Sequence, residues 1–378
     1  GNNGPKNMTT SIRRIGILTG GGDCPGLNAA VRGVGKAALF NHDIEVIGIR
    51  DGYQGLIENR VERLGASELS GILTRGGTIL GTNNRCAPDR CYSGDDKQGN
   101  PIFVNAVDRC LATIEEHRID VLFVIGGDGT FTCTKPLIDA GLKCIGIPKT
   151  IDNDIYGTDL TIGFTTATCI GTMALDRLHS TGDSHHRVMV CELMGRNAGW
   201  LTLASGLASG SDVILIPEIP YDLDVICDYV ESRRLGDSGF SIIACAEGAT
   251  PIDGARVVST IDPTNPDPIR LGGIGAQVAY DIELRTGIET RTTTLGHIQR
   301  GGEPAASDRV LATTFATAAF ELAISGQFNQ MIVLRNGHLE SQDILDAVDR
   351  QRLVPLDHPF VTSARAVRTC FGDEQTSV

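Results

Sequence analysis

The sequence has no excess of positive charge: 33 Lys and Arg face 46 Asp and Glu, a formal net charge of −13. An acidic chain of this kind is not expected to bind nucleic acid, whose phosphates are held by clustered basic residues. Any anionic ligand must be held by local arginines, lysines and backbone N–H groups. No apolar run reaches the ~18 residues of a membrane span, so no membrane association is expected. No signal-peptide pattern is visible. The 11 cysteines are an odd number and include no Cys-x-x-Cys pair. Cys86 and Cys91 lie close in sequence, but no second pair matches them to make a zinc site. Reduced thiols in a cytoplasmic protein fit this usage best. No repeat of solenoid period is evident. Residues 1–7, GNNGPKN, precede Met8 and read as a loose tail or cloning remnant, outside the fold argument.

What the chain does contain is ordinary for a globular enzyme: 378 residues, 41% hydrophobic and 21% charged. That length suggests two or three domains. Short β-branched runs at 14–19, 44–49, 121–125, 144–147, 188–191, 213–216 and 242–245 alternate with helical segments such as 27–39 and one beginning at Phe131. Such alternation implies parallel sheets covered on both faces. The expected fold is α/β, with two doubly wound, Rossmann-like lobes and a cleft between them. The polar stretch 88–99 reads as a surface loop, and 262–268 as a connector.

Three strands end in turns suited to chemistry. The first is Thr19-Gly-Gly-Gly-Asp-Cys-Pro-Gly-Leu-Asn28. It fails the P-loop pattern, because Leu27 and Asn28 stand where Lys and Ser/Thr belong. It fails the dinucleotide fingerprint, because Pro25 falls at the third glycine. A phosphate-cradling turn remains open, beside the plainer reading of a tight strand-to-helix turn. The second, Gly126-Gly-Asp-Gly-Thr130, sets one carboxylate among glycines, where Mg²⁺ and polyphosphate could meet; Asp128 could also merely organise the turn. The third is Pro148-Lys-Thr-Ile-Asp-Asn-Asp154. Aspartate and asparagine favour turns, but a lysine and two carboxylates at a strand mouth exceed what a turn needs. One acid could serve a metal while the other takes a proton, as phosphoryl transfer to a hydroxyl requires.

With Met194-Gly-Arg196, Ala246-Glu-Gly248 and Leu295-Gly-His-Ile-Gln-Arg-Gly-Gly302, these motifs occur in an order that resembles the 6-phosphofructokinases over nearly the whole chain from Ile12. The resemblance implies that Asp152 is the general base toward the sugar 1-hydroxyl, with Thr150 and Asp154 as its supporting neighbours. It implies Mg²⁺ as cofactor, linked to Asp128. Gly21, Gly22, Gly127, Gly129 and Thr130 would line the donor phosphates, and Arg85 would reach donor phosphates or base. Arg196 would neutralise charge near the transferring group. Thr150, Ile151, Met194 and Gly195 would border the sugar, Glu247 would accept from its hydroxyls, and His297 and Arg300 would hold its 6-phosphate. Arg187 and Arg291 match positions that reach a neighbouring subunit's substrate, which implies a homo-oligomer, dimer or tetramer. The donor lobe is expected over 8–162 with 296–345, and the sugar-phosphate lobe over 163–295 with 346–378.

The family holds both ATP users and pyrophosphate users. Gly129 leaves room for a nucleotide α-phosphate, where pyrophosphate enzymes typically carry an aspartate. Lys149 is the residue pyrophosphate enzymes share, and it would serve the donor phosphates as a point charge. The expectation is therefore ATP, with pyrophosphate as the alternative donor, sedoheptulose 7-phosphate as an alternative acceptor, and a non-catalytic sugar-phosphate sensor as the reading of another class. Arg32, Lys36 and Arg60 resemble part of an allosteric nucleotide site, but the loop 234–240 lacks that site's lysine cluster.

Overall fold

Burial sorts the apolar runs into sheet interiors. In the strands Arg14–Thr19 and Val121–Gly126 every residue from Ile15 and Val121 onward is buried, the pattern of strands covered on both faces. The computed structural model describes residues 11–378, so the tail expected over 1–7 lies outside the described residues.

The chain divides into two compact units. Among the described residues the first holds 11–148, 157–159 and 309–349, and the second holds 149–156, 160–308 and 350–378. The segment 296–308, expected with the donor lobe, lies instead in the second unit, as do 149–156 and 160–162. The segment 346–349 lies in the first.

The sheet of the first unit runs His338–Asp343, Gln330–Arg335, Cys144–Thr150, Val121–Gly126, Arg14–Thr19, Glu45–Ile49, Val61–Arg63. The pairings among its five middle strands are parallel, and the two outermost strands pair antiparallel. From Arg14–Thr19 the chain first goes to one side, to Glu45–Ile49, and later returns on the other, to Val121–Gly126. That reversal is a switch point, where α/β sheets bind ligands beyond their carboxyl ends. Both glycine turns start there, because Thr19 is in register with Ile125 and the Gly20 N–H donates to the Ile125 carbonyl at 3.0 Å.

The sheet of the second unit runs Val213–Leu215, Ser241–Ala246, Val188–Leu193, Thr290–Thr294, all parallel. Helices Leu223–Leu235 and Ile274–Thr286 bury Ile226, Val230, Val278 and Ile282 with Val190, Ile243, Cys245 and Leu215. Ala246 is in register with Leu193, and Thr294 with Glu192, so three strand ends open side by side.

Several expected boundaries shift by a few residues. The helix expected from Phe131 begins at Asp128, directly after Gly127. The stretch 88–99 is not all loop: Cys91–Asp95 pairs antiparallel with Pro101–Val104. Segment 262–268 is the turn of a hairpin between Val258–Ile261 and Ile269–Leu271. Period-two alternation is weak in such short, exposed strands, so only their turn residues stand out.

Candidate active site

In the first unit the two glycine turns expected to face the donor lie at the switch point. The helix Asp128–Asp139 follows its strand without a side-chain cap, so its first N–H groups point out of the strand end. Gly126 is required by close approach: a Cβ there would come within 2.6 Å of three Thr130 side-chain atoms. Thr130 is buried, Gly127 and Asp128 are half-buried, and Gly129 is exposed. The Gly129 N–H donates to Asp128 Oδ1 at 2.8 Å, which fixes the carboxylate over the helix start.

Gly21 and Gly22 lie half-buried in the first turn, which is anchored from a third stretch. Asn28 is fully buried, and its Nδ2 donates to the carbonyls of Arg75 and Gly76 at 3.1 and 3.2 Å. Its Oδ1 accepts from the Ile79 N–H at 2.7 Å. Thr82 Oγ1 donates to the Gly21 carbonyl at 2.6 Å. Arg85 follows as an exposed side chain. Arg60 is engaged by Asp51 and Glu58 at 2.6 and 2.8 Å.

The second unit holds the other set. Lys149 is 3% exposed and Ile151 5%, while Thr150 and Asp152 are half-buried. The Asp152 N–H donates to Thr150 Oγ1 at 3.2 Å, and Thr161 Oγ1 donates to the Thr150 carbonyl at 2.7 Å. Arg352 braces the same loop: its N–H donates to the Asp154 carbonyl at 2.8 Å and its Nη1 to the Asn153 carbonyl at 3.2 Å.

Met194, Gly195 and Arg196 leave one strand end and Glu247 leaves the next. The Glu247 N–H donates to the Leu193 carbonyl at 2.9 Å, and the Gly248 N–H to the Gly195 carbonyl at 3.1 Å. Only glycine fits at 248, because a Cβ would lie 1.9 Å from the Arg196 carbonyl oxygen. His297 and Arg300 sit on the 3-10 turn Gly296–Arg300 beyond the third strand end. The Arg196 guanidinium pairs with Asp267 on the 258–271 hairpin.

Burial, with the carboxylates of Asp152 and Glu192, pushes the Glu247 carboxyl up to about 7; a backbone hydrogen bond from Gly195 and the Arg300 charge pull the other way. The charges of Asp152 and Arg300 therefore both act on the Glu247 carboxyl, in opposite directions. A folded value above the unfolded ~4.3 means the native state holds a proton that the unfolded state has released. The resulting stability is full below pH ~4.3 and is lost as pH rises through about 7. Glu247→Gln is accordingly expected to stabilise the protein at pH 8 by roughly 1–3 kcal/mol and hardly at all at pH 4. Denaturant midpoints at the two pH values check this; an equal effect at both would refute the origin of the shift.

Arg187 and Arg291 are not brought to this cluster. Arg187 precedes the strand Val188–Leu193 and Arg291 is the second residue of Thr290–Thr294, at the ends opposite Met194 and His297. Six residues of strand put about 20 Å between Arg187 and Met194. The two arginines instead converge on Glu289, with Arg187 Nη2 at 2.8 Å.

Sequence reasoning missed two supports. Gln299 is fully buried, and its Oε1 accepts from the Met194 N–H at 2.8 Å, pinning the turn that carries Met194, Gly195 and Arg196. Asp308, also fully buried, accepts from the N–H groups of Gly163 and Thr166 at 3.0 and 2.8 Å. The sequence signal for Gln299 was its place inside the motif His297-Ile-Gln-Arg300. A lone Asp in a helix start gave none.

A family model described as Phosphofructokinase matches residues 14–323. The ATP-dependent 6-phosphofructokinase 2 of Clostridium perfringens is 45% identical over 369 residues, covering 97% of this chain and 100% of that protein. The ATP-dependent 6-phosphofructokinase of Spirochaeta thermophila is 47% identical, covering 96% of this chain and 98% of that one. The T-state crystal structure of Pichia pastoris phosphofructokinase superposes with a TM-score of 0.73 at 30% identity, over 89% of this chain and 35% of that longer one. A pyrophosphate-dependent phosphofructokinase from Marinobacter aquaeolei shares the fold at a TM-score of 0.76 and 20% identity, over 93% and 88% of the two chains. Matched along nearly its full length and carrying the motifs at its strand ends, the chain belongs to the phosphofructokinase family.

Proposed function

We propose that the chain is an enzyme that transfers the terminal phosphoryl group of ATP to O1 of fructose 6-phosphate, giving fructose 1,6-bisphosphate and ADP, a glycolytic step. The observation that carries this reading is the match, along nearly the full length, to relatives named ATP-dependent 6-phosphofructokinase, in a chain that keeps Asp152, Glu247 and Arg300 in its strand-end motifs. A sugar phosphate needs a base for the reacting hydroxyl, acceptors for the other hydroxyls and cations for its phosphate, and these residues supply one of each. A pure sensor would need the cations but not the base.

On the donor side, Gly21, Gly22, Gly127, Gly129 and Thr130 would line the phosphates, the last three at a helix start whose dipole favours anions. Arg85 would add a guanidinium, and buried Lys149 a point charge. The Asp128 carboxylate fits a hard cation. Among the described residues no group of three or more His, Cys, Asp or Glu could hold a metal ion, so Mg²⁺ at Asp128 would complete its shell from donor phosphates and water. When bound, it would neutralise charge on the donor oxygens.

On the acceptor side, Asp152 takes the proton of the 1-hydroxyl as that oxygen attacks phosphorus, and Thr150 keeps the loop in place. Arg196 releases Asp267 to meet the developing charge on the transferring group. Ile151, Met194 and Gly195 border the sugar, Glu247 accepts from its hydroxyls, and His297 and Arg300 hold the 6-phosphate. Arg187 and Arg291, at the far ends of their strands, serve a neighbouring copy's substrate, so the working form is a homo-oligomer, a dimer or a tetramer, in the cytoplasm. Among the described residues no helix is long and apolar enough to cross a membrane.

Donor choice is the direct test. Purified protein with fructose 6-phosphate and Mg²⁺ receives either ATP or pyrophosphate, and fructose 1,6-bisphosphate is quantified. Turnover with ATP is expected. Turnover with pyrophosphate alone would overturn the donor assignment, and none with either donor would overturn the reaction.

A further inference from the structure

Cys86 and Cys91 take no part in the chemistry above, yet they face each other. Ala87 and Arg90 form an antiparallel bridge, and the Arg90 N–H donates to the Ala87 carbonyl at 3.1 Å. Residues 87–90, Ala-Pro-Asp-Arg, therefore make a β-turn with proline at its second position, where a fixed φ is favourable. One step outward, the opposed residues are Cys86 and Cys91. Opposed residues of an antiparallel pair lie about 4.5–5.5 Å apart at Cα, within the roughly 4.4–6.8 Å that a disulfide spans. Their Sγ atoms are 3.3 Å apart. Cys86 is buried and Cys91 half-buried, so one thiol is accessible and the other waits behind it. Burial and the Cys91 neighbour push the Cys86 thiol up, which keeps it protonated until a partner sulfur is activated.

The dithiol also adjoins the donor side. Arg85 precedes Cys86, and its N–H donates to Asn83 Oδ1 at 2.7 Å. Asn83 in turn donates to Gln54, and Thr82 to the Gly21 carbonyl at 2.6 Å. The segment 82–85 thus runs from the first glycine turn straight to the thiol pair.

We propose that Cys86 and Cys91 form a reversible intramolecular disulfide whose state tunes donor binding through Arg85; the tuning, unlike the disulfide, rests on the reading of Arg85 as a donor contact. The oxidant is a small-molecule disulfide. The Cys91 thiolate attacks one of its sulfurs, the reagent's S–S bond breaks, and one thiolate leaves and is protonated. Cys86 then loses its proton and attacks the Cys91 sulfur of the mixed disulfide, expelling the second thiolate. Two protein thiols lose two electrons, and the reagent is reduced to two thiols.

The test treats the full chain with oxidised glutathione, alkylates the remaining thiols, and maps peptides by mass spectrometry alongside kinetics. An unalkylated Cys86–Cys91 link lacking two hydrogens is expected, with a severalfold change in KM for ATP, an unchanged KM for fructose 6-phosphate, and reversal by dithiothreitol. Cys91→Ser is expected to keep the kinetics of the reduced protein and lose the response. Glutathione on exposed Cys169 with no Cys86–Cys91 link would overturn the proposal. A link without a KM change, where Arg85→Ala does raise KM for ATP, would overturn the coupling. If Arg85→Ala also leaves that KM unchanged, the donor role of Arg85 is what fails, and the disulfide stands on the peptide map.

Discussion

Asp152→Asn is expected to lower turnover by ~10²–10⁴-fold while leaving the dissociation constant for fructose 6-phosphate nearly unchanged, as for a lost general base. The substitution keeps shape and removes only the basic oxygen. The loop backbone is also held by contacts that do not involve that carboxylate. Thr161 holds the Thr150 carbonyl, and Arg352 holds the carbonyls of Asn153 and Asp154. Arg352 is itself fixed, with its guanidinium 3.9 Å from the Trp200 ring centre and its carbonyl accepting from Trp200 Nε1 at 2.8 Å. A second readout separates lost chemistry from a disturbed loop. The Asp152 charge is one of the causes that raise the Glu247 carboxyl. Removing it should let Glu247 ionise at lower pH, so the pH profile of sugar-phosphate binding should move toward acid. Unchanged turnover would end the assignment of Asp152 as base. Lost turnover together with lost binding would mean that the loop, not the proton transfer, had been broken.

The parts of this site that were legible in the sequence are those in which several residues must share one turn. Gly126-Gly-Asp-Gly-Thr130 could be read because Thr130 excludes a side chain at 126, so the glycine carries a steric signal. Pro148-Lys-Thr-Ile-Asp-Asn-Asp154 could be read because its polar residues continue an apolar strand. Sheet interiors were legible for the same reason: strands covered on both faces need unbroken apolar runs. What escaped was set by contacts between residues far apart in the chain. The motif around Gln299 marks the residue, but not that its amide holds Met194, 105 residues away. Asp308 looks like a helix-start residue of its own helix, yet it accepts from Gly163 and Thr166 of another. The short, exposed strands of the 91–104 hairpin bury too little to impose an alternating pattern, so they read as loop. The division of the chain failed at 296–308 because the turn carrying His297 and Arg300 stays with the strand end that precedes it: the Leu295 N–H donates to the Glu192 carbonyl at 3.0 Å.

Gly129→Asp is expected to cut kcat/KM for ATP by roughly 10²–10³-fold, since an added like charge against a phosphate costs several kcal/mol. Pyrophosphate, as donor or as inhibitor, should be affected far less, because it has no α-phosphate for the new carboxylate to meet. The protein itself offers no obstacle. A Cβ at 129 meets nothing within 4 Å, and the residue is exposed in the first turn of the helix Asp128–Asp139. Its backbone is not in the left-handed region, so no strain accompanies the side chain. An acid at a helix start is favoured by roughly 0.3–1 kcal/mol, and loss of glycine's freedom in the unfolded chain adds to that. Stability should therefore hold or rise while ATP use falls, a combination that a misfolded variant cannot produce. Thermal midpoints, kcat/KM for ATP and pyrophosphate binding, measured on the same preparation, decide the matter. Equal loss with both donors would show that the carboxylate disturbs the phosphate site as a whole, for instance by competing with Asp128 for the cation. No loss with ATP would place the nucleotide's α-phosphate away from residue 129, and donor choice would then rest on buried Lys149 and its surroundings.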